Sequence, residues 1–172
     1  MNAFLLAVPI ILIRYPILSL ISKEAMGRAA FFPPTQGKEK AAFYVYQFTS
    51  LFLLCYLFFK NIKLSSSVNY LGLAIFFLGT VLYTKSTIDF ARPGTDGINT
   101  KGLYKYSRNP MYVAFFLYFL GCGMLINSWL YLAVLLIFQV AVHYLILSEE
   151  RWCWAQFGKE YQQYSANVRR YL

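Results

Sequence analysis

Residues 102–112 read GLYKYSRNPMY and gather, in one short stretch, groups that hold anions. Lys105 and Arg108 bring positive charge, and Asn109-Pro110 has the form of a helix start. Asn is a strong N-cap, and Pro at the first helical position has no N–H to lose. The N–H groups and positive dipole end of such a helix, beside Arg108, suit a carboxylate or a phosphate. The second group of interest is the acidic pair Glu149-Glu150, in a chain with 7 acidic residues against 16 basic ones. A carboxylate there would take an amine or a pair of ribose hydroxyls. Brought together, the two groups would hold a zwitterion, with the rings of Tyr104, Tyr106 and Tyr112 as faces for a sulfonium or an adenine. The plainer alternative is that Glu149-Glu150 marks the end of a span and pairs with Arg108 or Arg151.

These residues meet only if two helices return to one level. Asn127-Ser128 has the form of a tight turn; Asn109 precedes it by 18 residues, and Glu149 follows Trp129 by 20. Those lengths are about 27 and 30 Å of helix, so both ends come back to the same depth. The runs between them are apolar enough to cross a membrane, from Pro110 to Ile126 and from Trp129 to Ser148.

Three further apolar runs precede them, over about 3–21, 41–59 and 68–84. The expected fold is therefore all-α: a polytopic membrane protein with five transmembrane helices. The tail from Arg151 carries Trp154, Phe157, Tyr161 and Tyr164 at helical spacing, which suits either an amphipathic helix on the interface or one packed on the bundle. One domain over 1–172 is expected, with three spans in 1–84 and the polar loop, two spans and tail in 85–172. Composition agrees. The chain is 59% hydrophobic and 13% charged, where a soluble domain has about a quarter of its residues charged.

Net charge is +9, which in so apolar a chain points to anionic headgroups of a lipid bilayer, and no motif for nucleic acid is present. With five spans, thirteen of the 16 Lys and Arg residues fall in 22–40, 85–108 and the tail. The positive-inside rule then puts that side in the cytosol and the N-terminus outside. The N-terminus lacks a basic n-region and reads as a retained span. Cys55, Cys122 and Cys153 have no CxxC spacing, and with one histidine no metal site is expected. Arg14 is costly near mid-span, about 2.5–3.5 kcal/mol, so it should face the interior, snorkel, or meet a substrate anion. The loop 31–35 around Pro33-Pro34 is a second place to look for substrate contacts. The polar stretch 85–108 is long for a connection, and such loops are usually functional.

GLYKYSRNPMY, the Glu149-Glu150 pair about 38 residues later, and FGKEYQQY at 157–164 together resemble the isoprenylcysteine carboxyl methyltransferase family. The related phospholipid N-methyltransferases share the pattern, including a Gly-x-Gly in the span, here Gly121-Cys122-Gly123. The resemblance covers about residues 95–170. It implies an integral-membrane enzyme that uses S-adenosylmethionine, leaves S-adenosylhomocysteine, and methylates a lipophilic or prenylated small-molecule or peptide substrate. The resemblance implies cofactor contacts at Tyr104, Asn109, Pro110, Tyr112 and Glu149, with Glu150, Gly121 and Gly123 as further ones, and Arg108 joins them from its place beside the helix start. It also implies a cofactor-lining strip at 96–99, which includes Asp96 and Asn99. Two departures concern the substrate. Asn109 stands where eukaryotic members have His, and the position of their Arg, one turn before the acids, falls near Leu145. His143 is the nearest polar residue, so Arg14, His143 and Glu150 are the candidate catalytic groups. Arg108 to Tyr112 also resembles the Arg-His-Pro-x-Tyr stretch of NADPH-dependent sterol-type reductases, although Val113-Ala114-Phe115 contains no acid. A non-catalytic membrane scaffold is the third reading.

Overall fold

The computed structural model describes residues 1–94 and 97–171. It is all-helical, with no strand among the described residues beyond one bridge between Asn2 and Asn61. Four helices are long and apolar enough to cross a membrane: α1 Ala3–Ile21, α3 Lys38–Phe59, α4 Ser67–Ala91 and α6 Trp129–Asn167. The short α2, Lys23–Ala30, lies between the first two. The expected fifth span, α5, covers Pro110–Leu125 with 16 residues. That is about 24 Å of helix, less than the ~30 Å hydrocarbon core.

Successive long helices reverse direction. At one end, residues 1–3 bond to 60–62 through Ala3 N–H to Lys60 O and Ile62 N–H to Met1 O, and Lys63 N–H reaches Leu125 O. The turn after α5 lies at this end. Asn127 adopts φ +51°, and the Ser128 hydroxyl caps α6 by accepting from Tyr131 N–H. The hairpin read from the sequence is present. Its two helices return Asn109 and Glu149 to the opposite end of the bundle.

The closest packing joins α4 to α5, backbone against backbone. A Cβ on Gly79 would stand 2.5 Å from Tyr118 N, and one on Gly121 would stand 2.5 Å from Phe76 N. Only glycine allows that approach. Tyr83, Tyr118 and Tyr131 are fully buried in the same core. Tyr131 donates to Leu53 O and Tyr118 to Leu6 O, so each of these two phenols has a carbonyl partner in the apolar interior.

Three elements differ from expectation. α4 continues seven residues past Thr84, because Ser86, Thr87 and Ala91 are buried; the polar connection therefore starts at Arg92. The tail does not begin a separate helix at Arg151: α6 runs on and bends only at Gly158, whose φ of +52° and ψ of −121° are not helical. α1 is broken, with a π-turn over residues 13–17 that contains Pro16. Proline has no N–H to give to the preceding turn, which loosens the helix there.

Candidate functional site

Residues 97–109, the segment 27–33 and the second half of α6 converge on the end opposite Asn127. They enclose a cavity of about 510 Å³, a size typical of small-molecule sites. Arg14, Tyr104, Arg108, Asn109, Tyr112 and Glu149 all contribute to its wall.

The two adjacent acids are in different situations. Both line the cavity, from directions about 100° apart on the helix. Glu150 is buried and paired, with Arg108 Nη2 at 3.1 Å on one oxygen and Arg170 Nη2 at 2.8 Å on the other. Glu149 forms no ion pair among the described residues. Its Oε1 accepts from the Tyr112 hydroxyl at 2.6 Å, which leaves the rest of the carboxylate to the cavity. The pairing in the plainer reading thus holds for Glu150 alone, and the helix itself runs on past both acids. Arg151 pairs with Glu39 and also donates to Pro34 O, which fastens the loop 31–35 over the cavity.

The sequence predicts that the Asn109 side chain caps α5, and it does not. It makes no cap bond; Nδ2 donates instead to Arg170 O at 3.1 Å. The N–H groups of Tyr112 and Val113 both turn to Asn109 O. The helix start therefore does not offer these donors to an anion. Positive charge at the cavity comes from the guanidinium groups of Arg14, Arg28 and Arg108.

Several of the remaining expected site residues lie elsewhere. Pro110 is buried at the first turn of α5 and is absent from the cavity wall. Gly121 and Gly123 sit about 16 and 20 Å along α5 from its start. A Cβ on Gly123 would meet Leu132 at 2.5 Å, so both glycines serve helix packing and neither reaches the cavity. His143 is also off the wall, its Nδ1 bonded to the Tyr171 hydroxyl at 2.7 Å. Of the strip 96–99, Asp96 lies outside the described residues, while Gly97, Ile98 and Asn99 line the cavity. Tyr104 is buried in the loop, its carbonyl bonded to the Tyr164 hydroxyl at 2.7 Å. Burial raises its phenol well above the ordinary value, so it stays neutral.

The aromatic residues of the tail divide. Trp154 is 45% exposed, whereas Phe157, Tyr161 and Tyr164 turn inward to the cavity, joined by Trp152. The most consequential contact missing from the sequence reading is Arg170. Residues after α6 fold back across the start of α5, with Arg108 N–H on Arg169 O and Ser107 Oγ and Asn109 Nδ2 on Arg170 O. The one available signal was a surplus of basic residues close to a buried acid, and that does not say which of them pairs with it. Two buried polar atoms at the cavity, Asn99 Oδ1 and Arg108 Nε, have no partner among the described residues. A ligand is an effective way to satisfy such atoms.

A family model described as "Phospholipid methyltransferase" matches residues 69–160, from the start of α4 to the bend in α6. Comparison with curated proteins and with solved structures finds no significant match.

Proposed function

The chain belongs to the phospholipid methyltransferase family, and on that premise we propose that it is an S-adenosylmethionine-dependent methyltransferase of lipophilic acceptors. Its cavity faces the cytosol, α5 counts as a fifth crossing, and the final turns of α6 lie near the interface. The whole of 1–172 acts as one domain. Membership in a methyltransferase family argues against the reductase reading of Arg108 to Tyr112 and against a non-catalytic scaffold.

The observation that carries the reading is the contrast between the acids: Glu150 is neutralised by two arginines, while Glu149 keeps a carboxylate open to the cavity. The residues fit a charged adenosyl ligand. Glu149, held in orientation by Tyr112, takes an ammonium or ribose hydroxyls. Asn99 and Arg108 supply the unpartnered acceptor and donor. Trp152, Phe157, Tyr161 and Tyr164 line the wall with rings, exclude water and offer faces to a base or a cation. When bound, S-adenosylmethionine supplies a methyl on a sulfonium, an electrophile that needs no acid catalyst. Holding the acceptor in line at about 3–3.5 Å then provides much of the rate.

Glu150 is committed to its arginines and His143 is outside the cavity, so no free base other than Glu149 stands there among the described residues. An acceptor that arrives already ionised, a carboxylate, is therefore the first reading. A phospholipid amine is the second, favoured by the description of the matching family; it would require Glu149 to take the proton.

Calorimetry with S-adenosylmethionine and S-adenosylhomocysteine on the purified protein tests the donor, and absence of heat with both removes the proposal. Incubation of membranes with isotopically labelled donor, followed by mass spectrometry of the lipid extract, identifies the acceptor. Label in a methyl ester supports the first reading and label on an amine the second.

A further inference from the structure

The segment 31–36, between α2 and α3, borders the cavity and supplies none of the groups assigned to the donor. Phe31, Phe32 and Pro33 lie on the cavity wall. The neighbouring parts of that wall are firmly tied. Leu103 N–H binds the Asp89 carboxylate at 2.8 Å, and the Tyr164 hydroxyl holds Tyr104 O. The end of α2 is held by Arg14 on Ala29 O at 2.7 Å and by Arg28 on Phe90 O at 3.1 Å. Residues 32–35, by contrast, make no backbone–backbone hydrogen bond among the described residues.

What fastens them is contact from α6 and from the first turn of α3. Arg151 Nη2 donates to Pro34 O at 3.0 Å and to Glu39 Oε2 at 2.7 Å. The same carboxylate oxygen accepts Gln36 N–H at 2.8 Å, so one acid holds both the arginine and the α3 end of the segment. Phe31 leans on Trp152, ring centres 5.3 Å apart, and remains 48% exposed. These ties suit a part that moves. The Arg151 side chain is 42% exposed, and an ion pair so open to water is worth only about 0.2–1 kcal/mol. Pro33-Pro34 stiffens the segment, which therefore swings as one piece. Gly37 at its end has φ +51°, and nothing stands within 4 Å of where its Cβ would be, so this residue is free to change its dihedrals.

We propose that segment 31–36 is the gate through which the water-soluble donor and its product exchange, and that Arg151, on Glu39 and Pro34 O, is its latch. The proposal rests on the donor reading for its ligand. Entry and exit both wait for the open state of such a gate. Weakening the latch therefore raises the association and dissociation rate constants by the same factor and leaves their ratio alone. A residue that only touched the ligand would change the ratio, chiefly through dissociation.

The test uses the full chain in nanodiscs and S-adenosylhomocysteine, with both rate constants read by surface plasmon resonance. Arg151→Gln and Glu39→Gln are each expected to raise both constants about three- to fivefold, the size of an exposed ion pair, with Kd unchanged within about twofold. Arg151→Lys, which keeps the charge without the planar fork, falls between these variants and wild type. Added salt speeds exchange in the wild type and has little effect in the two Gln variants.

A second measurement needs no ligand. Cys153 lies on the cavity wall, and with Cys55 and Cys122 replaced by alanine its reaction with a charged, water-soluble methanethiosulfonate passes the same gate. That reaction should quicken by the same factor in both Gln variants. Exchange rates that stay at the wild-type value, an affinity loss confined to dissociation, or an unchanged Cys153 reaction overturns the gate. If the wild-type chain binds no S-adenosylhomocysteine while Cys153 reacts faster in the Gln variants, the donor reading falls and the gate stands as the route of water-soluble molecules to the cavity.

Discussion

At the scale of single residues, the site turns on which of two adjacent carboxylates is free. Glu149→Ala removes the open one and is expected to weaken S-adenosylhomocysteine binding 10- to 100-fold, about 1.5–3 kcal/mol for a hydrogen bond to a charged group. Calorimetry measures it, and an unchanged affinity would take Glu149 out of the donor site. Arg170→Ala acts differently. It leaves Glu150 with Arg108 as its one cation, and the expected effect is a loss of about 1.5–3 kcal/mol in stability, read from thermal unfolding in detergent. His143→Phe removes a hydrogen bond to Tyr171 and should keep methyl transfer within a few-fold of wild type. Activity that vanished in His143→Phe with the fold intact would return this histidine to the catalytic groups. The sequence pointed to Asn109 and Glu149 because their spacing around the turn fixes a common depth, and Tyr112 joined them through the family resemblance. It could not separate Glu149 from Glu150, because the arginine that decides the matter arrives from a segment with no periodic pattern of its own.

At the scale of elements, the bundle depends on glycines more than on polar contacts. Gly79 and Gly121 let α4 and α5 touch through their backbones, so Gly79→Leu is expected to destabilise by about 1–3 kcal/mol or more through overpacking. A melting temperature equal to that of wild type would show that the helices can separate without cost. Gly121 and Gly123 illustrate how a motif is misread: the same pair of small residues serves close ligand approach or close helix packing, and only the position along α5 decides. The helices themselves were legible, since hydropathy and the turn at Asn127 are local signals. Their ends were not. α4 runs past its apolar part because tertiary burial continues, and α6 passes Glu149 because nothing stops a helix before Gly158.

At the scale of the whole molecule, the chain has a basic end and a plain end. Residues 1–3, 60–63 and 125–128 form the plain one, and the cavity with most of the Lys and Arg residues forms the other. With five crossings and the cavity in the cytosol, Lys63→Cys should react with an impermeant thiol reagent from outside intact cells, in a background with Cys55, Cys122 and Cys153 replaced by alanine. Lys105→Cys should react only after the membrane is opened. The reverse pattern would invert the topology and put the cavity outside.

The return of residues 169–171 across the start of α5 sets an order of events. A nascent chain that has emerged only as far as Asn167 already contains helices α1 to α6. It still lacks the backbone carbonyls that hold Arg108 and Asn109, and the guanidinium that helps to neutralise Glu150. Insertion and competence are therefore separate milestones in the life of this protein, and the second waits for residues 169–171 to be made.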